Sequence, residues 1–515
     1  MTTSRRGRPD MILVVSVVLV VVIIVGCLLQ WPTESQRGAR AVFEQSTKVF
    51  GATVQFIGLA CAALAGYLAV SRYGDIKFGE GAPRYSTSSW LFMFLSAGLG
   101  SATMYWSFVE WAYYYQTPGL NLPPQTPDAL AISLAYAFFH WGPIPWAMYA
   151  VAGTAMAYYF HVRKGQRLSF AGNVEAISGN RVKADSIAGR IIDLLFLFAT
   201  FGGLILTVTL TVDTAAAGLA SIAGRENTFG FKAVILAAST AVFGLSSYIG
   251  IDKGLQKLAR VAALASLAFA LVVFVIGPTQ FIVDNTVNAM GLELQNFFHM
   301  ALFTDPLGTG SFPRNWTVFY WLYWISYLPG VAVFIARVSE GRTIRQTICG
   351  LLFAGCAGIM LFFGVLSNYA IDQMNRGGVN AVALLTSGGG DVAVAQLLSA
   401  LPLGHMFSLI YFLIMLVFLA SHLDATAFTI AAVSTRHMPH GTDPARGFRL
   451  FWVIMLAAIP TAMLAINANL DTLKTGLTLT AIPFAALLVV QMIGLMTWLK
   501  QDVPPLTVVE SKRAG

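Results

Sequence analysis

Apolar residues along this chain fall in long unbroken blocks rather than in alternation, for example over 11–29, 53–68 and 451–465. Blocks of that length match a hydrocarbon layer of about 30 Å at about 1.5 Å per helical residue. With the turn residues between them, they predict twelve membrane-crossing helices. The ranges are 11–30, 51–71, 89–115, 129–160, 189–220, 231–250, 258–283, 317–336, 345–370, 403–434, 450–468 and 477–499. Spans three, four, five and ten exceed what a bilayer needs, which predicts tilt or projection from it. A short amphipathic helix over 292–303 is expected at the interface before span eight. The first block follows Arg5, Arg6 and Arg8 like a secretory signal. It is too long for that and lacks a small-residue cleavage site, so it reads as the first span.

Composition turns this pattern into exclusions. Of 515 residues, 57% are hydrophobic and 11% charged, against about 25% charged in a soluble domain. Too few ionic groups remain to coat a globular surface. A soluble enzyme, a disulfide-built secreted domain and a disordered scaffold are all excluded. Cys27, Cys61, Cys349 and Cys356 lie in or beside apolar segments without metal-ligand or disulfide spacing, and read as buried small hydrophobes.

The net charge of +8 follows from orientation. With the N-terminus inside, Arg37, Arg40, Lys48, Arg225, Lys232, Arg314, Arg376 and Lys474 face outward, and the other 24 of the 32 basic residues lie in inner segments and adjoining span ends. That bias places both termini in the cytoplasm of a plasma-membrane protein and leaves no call for nucleic acid.

Two spans carry breakers at mid-membrane: Gly98 and Gly100 in SAGLGSATMYW, and Pro329-Gly330 in ISYLPGVAV, five spans later. Breakers at corresponding places in two halves point to discontinuous helices of an inverted repeat around a central site. Close helix packing is the plainer alternative.

The densest chemistry is in 315–345. At 3.6 residues per turn, Trp316, Tyr320, Tyr323, Trp324 and Tyr327 form one stripe, with Trp321 about 100° off it. A membrane-interface belt does not need such a stripe to run about three turns inward. Clustered ring faces attract a cation that cannot be deprotonated, at about 0.5–2 kcal/mol per ring. A quaternary ammonium, with no N–H to offer a carboxylate, needs such a site, although a packed core could also carry the stripe. Tyr113, Tyr114 and Tyr115 follow Glu110 in span three, and span four carries HWGPIPW from His140 to Trp146. Pro143 and Pro145 are expected to distort span four beside Trp141.

At these residues the sequence resembles the betaine/choline/carnitine transporter family, carriers of trimethylammonium compounds. The resemblance rests chiefly on WTVFYWLYWISYLPG followed by FIARVSEGRTIR. It is supported by the glycines before Tyr105-Trp106, HWGPIPWAMYA, GIDKG at 250–254 and SHLDATAF. The YYYQTP stretch and HWGPIPW are closest in character to the carnitine/γ-butyrobetaine exchanger branch. The resemblance implies an all-α polytopic fold of twelve transmembrane helices, with a five-helix inverted-repeat core of the leucine-transporter type after two peripheral helices. The expected division is a cytoplasmic N-terminus over 1–10, peripheral helices over 11–88 and a first repeat over 89–283. An interfacial helix and loop over 284–316, a second repeat over 317–499 and a tail over 500–515 complete it. The resemblance also implies alternating access and a homotrimer, and no cofactor or metal is expected.

The family's aromatic box carries over to Tyr113, Trp141, Tyr323 and Trp324, with Tyr323 standing where the family commonly has Trp. Its cytoplasm-side aromatics carry over to Trp316 and Tyr327. Gly98, Gly100 and Pro329 are the expected gating positions. Glu110 is expected to act indirectly, as a structural or gating residue. Asp213 could pair with a cation in the cavity, but a partner within the outer half of the bundle is expected. Sodium-coupled members place two hydroxyls in span ten against span-three carbonyls, which here belong to Ala97 and Leu99. This chain has Ser421-His422 there, and hard cations prefer oxygen ligands. The cation that sodium-independent exchangers supply from span seven aligns with Ala262. His422 is therefore either the replacement charge or a neutral packed imidazole.

The functional expectation is a secondary transporter for betaine, carnitine, γ-butyrobetaine or choline. The alternatives within transport are a dimethylsulfonium carrier and a sodium-coupled osmolyte symporter. No HExxH, nucleophile elbow or membrane dyad suggests an enzyme, and no repeated filter loop suggests a channel.

Overall fold

The structure is a computed structural model that describes residues 8–165, 169–249, 252–436 and 443–503. Arg5, Arg6, Arg167, Gly250 and Ile251 of GIDKG, and the tail residues Lys512 and Arg513 lie outside the described residues.

The chain is helical almost throughout, and capping side chains set many of the starts. The helices are α1 Met11–Gln30, α2 Pro32–Val70, α3 Thr87–Gly98, α4 Ser101–Gln116, α5 Pro127–Trp141, α6 Pro143–Ala157, α7 Phe170–Ile177, α8 Ile187–Ala223 and α9 Phe229–Ile249. They continue as α10 Asp252–Ile276, α11 Thr279–Leu302, α12 Phe319–Val338, α13 Ile344–Asn375, α14 Ala381–Ser387, α15 Gly390–Ser399, α16 Gly404–Val433, α17 Arg446–Ala465 and α18 Leu470–Asp502. Asp10, Ser86, Thr126, Ser186 and Asn469 each accept a first-turn N–H of the helix that follows, and Thr343 with Gln346 forms a capping box on α13. Among the described residues, nine helices are long and apolar enough to cross a membrane.

Two expected spans are instead pairs of shorter helices. Span three divides into α3 and α4, with Leu99 and Gly100 extended between them (φ −89° and −160°). Span four divides into α5 and α6 at Gly142 (φ −95°, ψ −133°). Pro143 and Pro145 remove two backbone N–H groups there, and a Cβ on Gly142 would lie 2.4 Å from the Phe138 carbonyl. Gly98 is required by packing: a Cβ there would meet the Trp146 indole at 2.7 Å.

Three expectations need correction. Pro329 does not break span eight, because α12 runs unbroken from Phe319 to Val338 with Pro329 inside it. The irregularity lies at least about three turns earlier, in a π-helical turn at Pro313–Val318. Neighbouring helices make a proline tolerable inside a membrane helix, so its presence alone does not locate a break. The amphipathic helix is longer than 292–303: α10 ends at Ile276 and α11 already starts at Thr279, so the expected boundary at 283/284 falls inside α11. Cys27 and Cys349 are exposed on outward helix faces, and only Cys61 is fully buried.

Packing places α12 against α6 and α18, and α8 against α16 and α18, while α1 lies on the flank against α17. The chain before α1 is tied down at Arg8–Pro9, which pairs antiparallel with Thr435–Arg436. Asp10 accepts two hydrogen bonds from Arg436 at 2.6 and 3.1 Å, and Arg190 stands 3.6 Å away. Burial pushes the Asp10 carboxyl up, but the Arg436 bonds outweigh it and hold the group below the usual carboxylate range. A lowered value means the clamp is complete above about pH 4 and is lost as pH falls through it. Asp10→Ala is therefore expected to speed tryptic cleavage after Arg436, whose guanidinium Asp10 holds, at neutral pH, with transport rate little changed. Equal cleavage of both proteins would show that the clamp does not hold this segment.

Candidate functional site

The aromatic stripe of α12 faces α5, α6 and α8, and the structure divides the expected site residues into two layers and a tail. In the inner layer Trp141 at the end of α5 stands 5.6 Å from Trp324 and 6.4 Å from Tyr323, both edge-on. Trp146 and Tyr149 of α6 close on Trp324 at 5.4 and 5.0 Å. Trp141, Tyr323, Tyr149 and Trp324 keep 4–6% of their surface accessible, whereas Trp321 behind them has 0%. These four rings, in the middle of the bundle, border residual open space.

Every indole N–H in this layer is already used. Trp324 donates to the His140 carbonyl at 3.1 Å, and Trp146 donates to the Trp141 carbonyl at 3.1 Å. Trp141 donates to Glu110 at 2.7 Å. What remains to offer a guest is ring face, which is negative and suits a cation, together with the Tyr149 hydroxyl.

Glu110 organises this layer from behind. It is completely buried on α4. One oxygen accepts from Tyr114, and the other accepts from Trp141 and from Tyr320 at 2.6 Å. The network continues from the Tyr114 hydroxyl to His140 Nδ1 at 2.8 Å, and from His140 Nε2 to Thr317 at 3.0 Å. Since Tyr114 gives its proton to Glu110, His140 Nδ1 donates to Tyr114 and Nε2 accepts from Thr317. The indirect role expected of Glu110 thus has a physical form: it fixes the Trp141 ring.

Tyr113 is not in that layer. Its ring packs 5.4 Å from Trp316 and 6.0 Å from Trp106, and its hydroxyl is 3.5 Å from that of Tyr105. Trp316 is likewise not beside Tyr327, as the carried-over roles had it. Eleven residues of helix separate them, about 16 Å at 1.5 Å per residue. Trp316 belongs with Tyr113 in a second layer at the start of α12. There the Lys474 ammonium of α18 stands 3.7 Å from the Trp316 ring centre and 4.5 Å from that of Phe319.

At the other end, Tyr327 donates to the Gly203 carbonyl at 2.7 Å. Its oxygen and that of Tyr323 lie 2.7 and 2.8 Å from the Thr207 hydroxyl on α8. His422 packs its ring 5.1 Å from Tyr327. The Ser421 hydroxyl donates within its own helix, to Val417 and Phe418, so neither Ala97 nor Leu99 receives it. The Gly98 carbonyl at the α3–α4 break accepts from Thr103 at 2.8 Å. Asp213 pairs with Lys232 at 2.7 Å.

Sequence reasoning missed Tyr149, Thr207 and Lys474 as site residues, and placed Tyr320 and Trp146 only in the stripe and in HWGPIPW. Tyr149 lies seven residues beyond the Gly142 break, and its ring would have been placed correctly only by treating α6 as a separate helix. Thr207 carries no signal in an apolar helix that also holds Thr200, Thr209, Thr211 and Thr214.

An all-helical membrane protein with broken helices lining a buried aromatic cluster belongs to the class of polytopic transporters. Residues 11–504 match the family described as BCCT, betaine/carnitine/choline family transporter, and the chain belongs to that family. Its members are transporters, not enzymes. The chain is 50% identical over 436 residues to the "Uncharacterized transporter YeaV" of Escherichia coli K12, covering 85% of this chain and 90% of that one. It is 45% identical over 493 residues to a "Carnitine transporter" of Acinetobacter baumannii, covering 96% and 89%. A solved sodium-coupled sialic acid symporter in a substrate-bound outward-open state is similar at a TM-score of 0.42 and 14% identity, over 79% of this chain and 86% of that one.

Proposed function

We propose that this transporter carries a small solute with a trimethylammonium head, of the betaine, carnitine, γ-butyrobetaine and choline group, by alternating access through the Trp141–Tyr323–Trp324 layer. The observation that carries the reading is that all three indole N–H groups around Tyr149 and Tyr323 are satisfied from behind. Ring faces then make up most of what the guest meets, with the Tyr149 hydroxyl beside them, which favours a permanent cation. The 45% identical carnitine transporter supports the same class. Twelve spans result when α3 with α4 and α5 with α6 each count as one crossing. In this reading α3 to α10 and α12 to α18 form the two inverted repeats, and α11 is the interfacial helix of a trimer. The protein sits in the plasma membrane with both termini cytoplasmic, as the inner bias of basic residues supports. Saturable uptake of labelled γ-butyrobetaine into proteoliposomes, competed by carnitine, betaine and choline, tests the substrate class. Competition by a dimethylsulfonium analogue alone would favour the sulfonium reading.

Drive comes from substrate exchange or protons rather than sodium. With an imidazole at the position after Ser421 in place of a second hydroxyl, span ten offers a hard alkali ion few oxygen ligands. Replacing external sodium by potassium is expected to change uptake less than about twofold. Steep sodium dependence that persists in His422→Ala would overturn this and favour the sodium-coupled alternative.

A further inference from the structure

Lys474 is the cation that the aromatic site does not explain. It lies one turn into α18, only 2% exposed, and its ammonium donates to the Asn315 carbonyl at 2.9 Å. Its other surroundings are the faces of Trp316 and Phe319. Among the described residues, no carboxylate lies within ion-pair distance of it. Two acids act on it from farther away, Asp471 one turn back on α18 and Glu110. The Glu110 oxygens already accept from Tyr114, Tyr320 and Trp141. A buried charge held by one carbonyl and two ring faces is under-compensated, and an anion brought to it gains what the protein leaves unmet.

The stripe also sets where such an anion comes from. Phe319, under the Lys474 ammonium, stacks parallel on Tyr323 at 5.7 Å, so the ammonium lies one ring beyond the inner layer. It also covers the Trp316 face that a trimethylammonium would otherwise use. A guest's cationic head is therefore turned away from Trp316 toward Trp141, Tyr323 and Trp324, and its far end points back along α12.

We propose that Lys474 determines specificity by receiving the carboxylate of a zwitterionic substrate whose trimethylammonium head occupies the inner aromatic layer. This rests on the trimethylammonium reading of that layer. The transporter then selects carboxylate-bearing trimethylammonium compounds over choline, whose hydroxyl brings no charge, and a longer spacer serves better than a short one because the two subsites are a ring apart. Lys474 acts on the substrate's tail and supplies no part of the ring cage.

The test compares three compounds with the same head on full-length protein in proteoliposomes: γ-butyrobetaine, its methyl ester and choline. Wild type is expected to favour γ-butyrobetaine over the ester and choline by at least about tenfold in KM, the size of one charge-assisted contact. Lys474→Met is expected to remove most of that preference by raising the γ-butyrobetaine KM while leaving choline unchanged or improved. Lys474→Arg is expected to keep it. A Lys474→Met protein that shifts all three compounds alike has lost structure rather than selectivity, and the inference fails. It fails also if wild type accepts ester and acid equally, a result that needs no variant to fold. Wild type that transports none of the three overturns the trimethylammonium reading itself, a distinct outcome.

Discussion

Trp324→Ala is expected to abolish saturable uptake while the protein still elutes as a single species in detergent. Trp324 is the ring that the others converge on, with Trp141, Trp146 and Tyr149 all within 5.6 Å of its centre. Its removal takes one face from the cation site, about 0.5–2 kcal/mol. It also opens a cavity into which Trp146 and Tyr149 can fall, and frees the His140 carbonyl that the indole had bonded. A large-to-small change in a packed interior costs about 3–5 kcal/mol of stability, so the folding check is part of the experiment. Trp324→Phe keeps a face without the N–H and is expected to retain transport with KM raised about three- to tenfold, within the span of one ring contact. Normal transport by a folded Trp324→Ala protein would remove the inner layer from the substrate route.

The parts of this site that could be read from the sequence are those whose signal is local. The stripe from Trp316 to Tyr327 follows from helical spacing alone, and so does the separation of Trp321, which packs away from the cavity against Phe139. The glycine pair at 98 and 100 and the prolines at 143 and 145 mark real interruptions. Pro329 does not, because a proline removes one hydrogen bond but neighbouring helices decide whether the axis breaks. The place beside Tyr327 carried over to Trp316 from the family conflicts with the stripe itself, in which about three turns separate the two residues. Lys474 was invisible as a site residue for a different reason. A lysine near a predicted helix start counts as an exposed charge unless the helix opposite is known to offer it ring faces, and that pairing spans 158 positions from Trp316 in the chain. Glu110 was recognisable as an unusual buried acid, but its three donors come from α4, α5 and α12 and meet only in the folded bundle.

That convergence makes Glu110 the position where two substitutions are expected to part most widely. Glu110→Ala leaves the Tyr320 hydroxyl and the Trp141 indole facing no acceptor, while Tyr114 can still turn its proton to His140. An orphaned buried donor costs about 1–3 kcal/mol each, so transport is expected to fall by at least about a hundredfold as Trp141 loses its fixed orientation. Glu110→Gln need not do this. Its amide oxygen can take the place of the oxygen that accepts from Trp141 and Tyr320, leaving the NH2 toward Tyr114. Tyr114 then accepts from the amide and turns its own proton to His140 Nδ1, 2.8 Å away. His140 answers by carrying its proton on Nε2 and donating to Thr317, 3.0 Å away. The whole chain of donors reverses without moving a heavy atom, because Tyr, His and Thr can each both give and accept. Glu110→Gln is therefore expected to stay within about tenfold of wild type. Adding His140→Phe, which has no nitrogen to take the reversed proton, is expected to cost the Gln protein more than it costs wild type. Equal losses in the two backgrounds would mean that Glu110 acts through its charge rather than by holding Trp141.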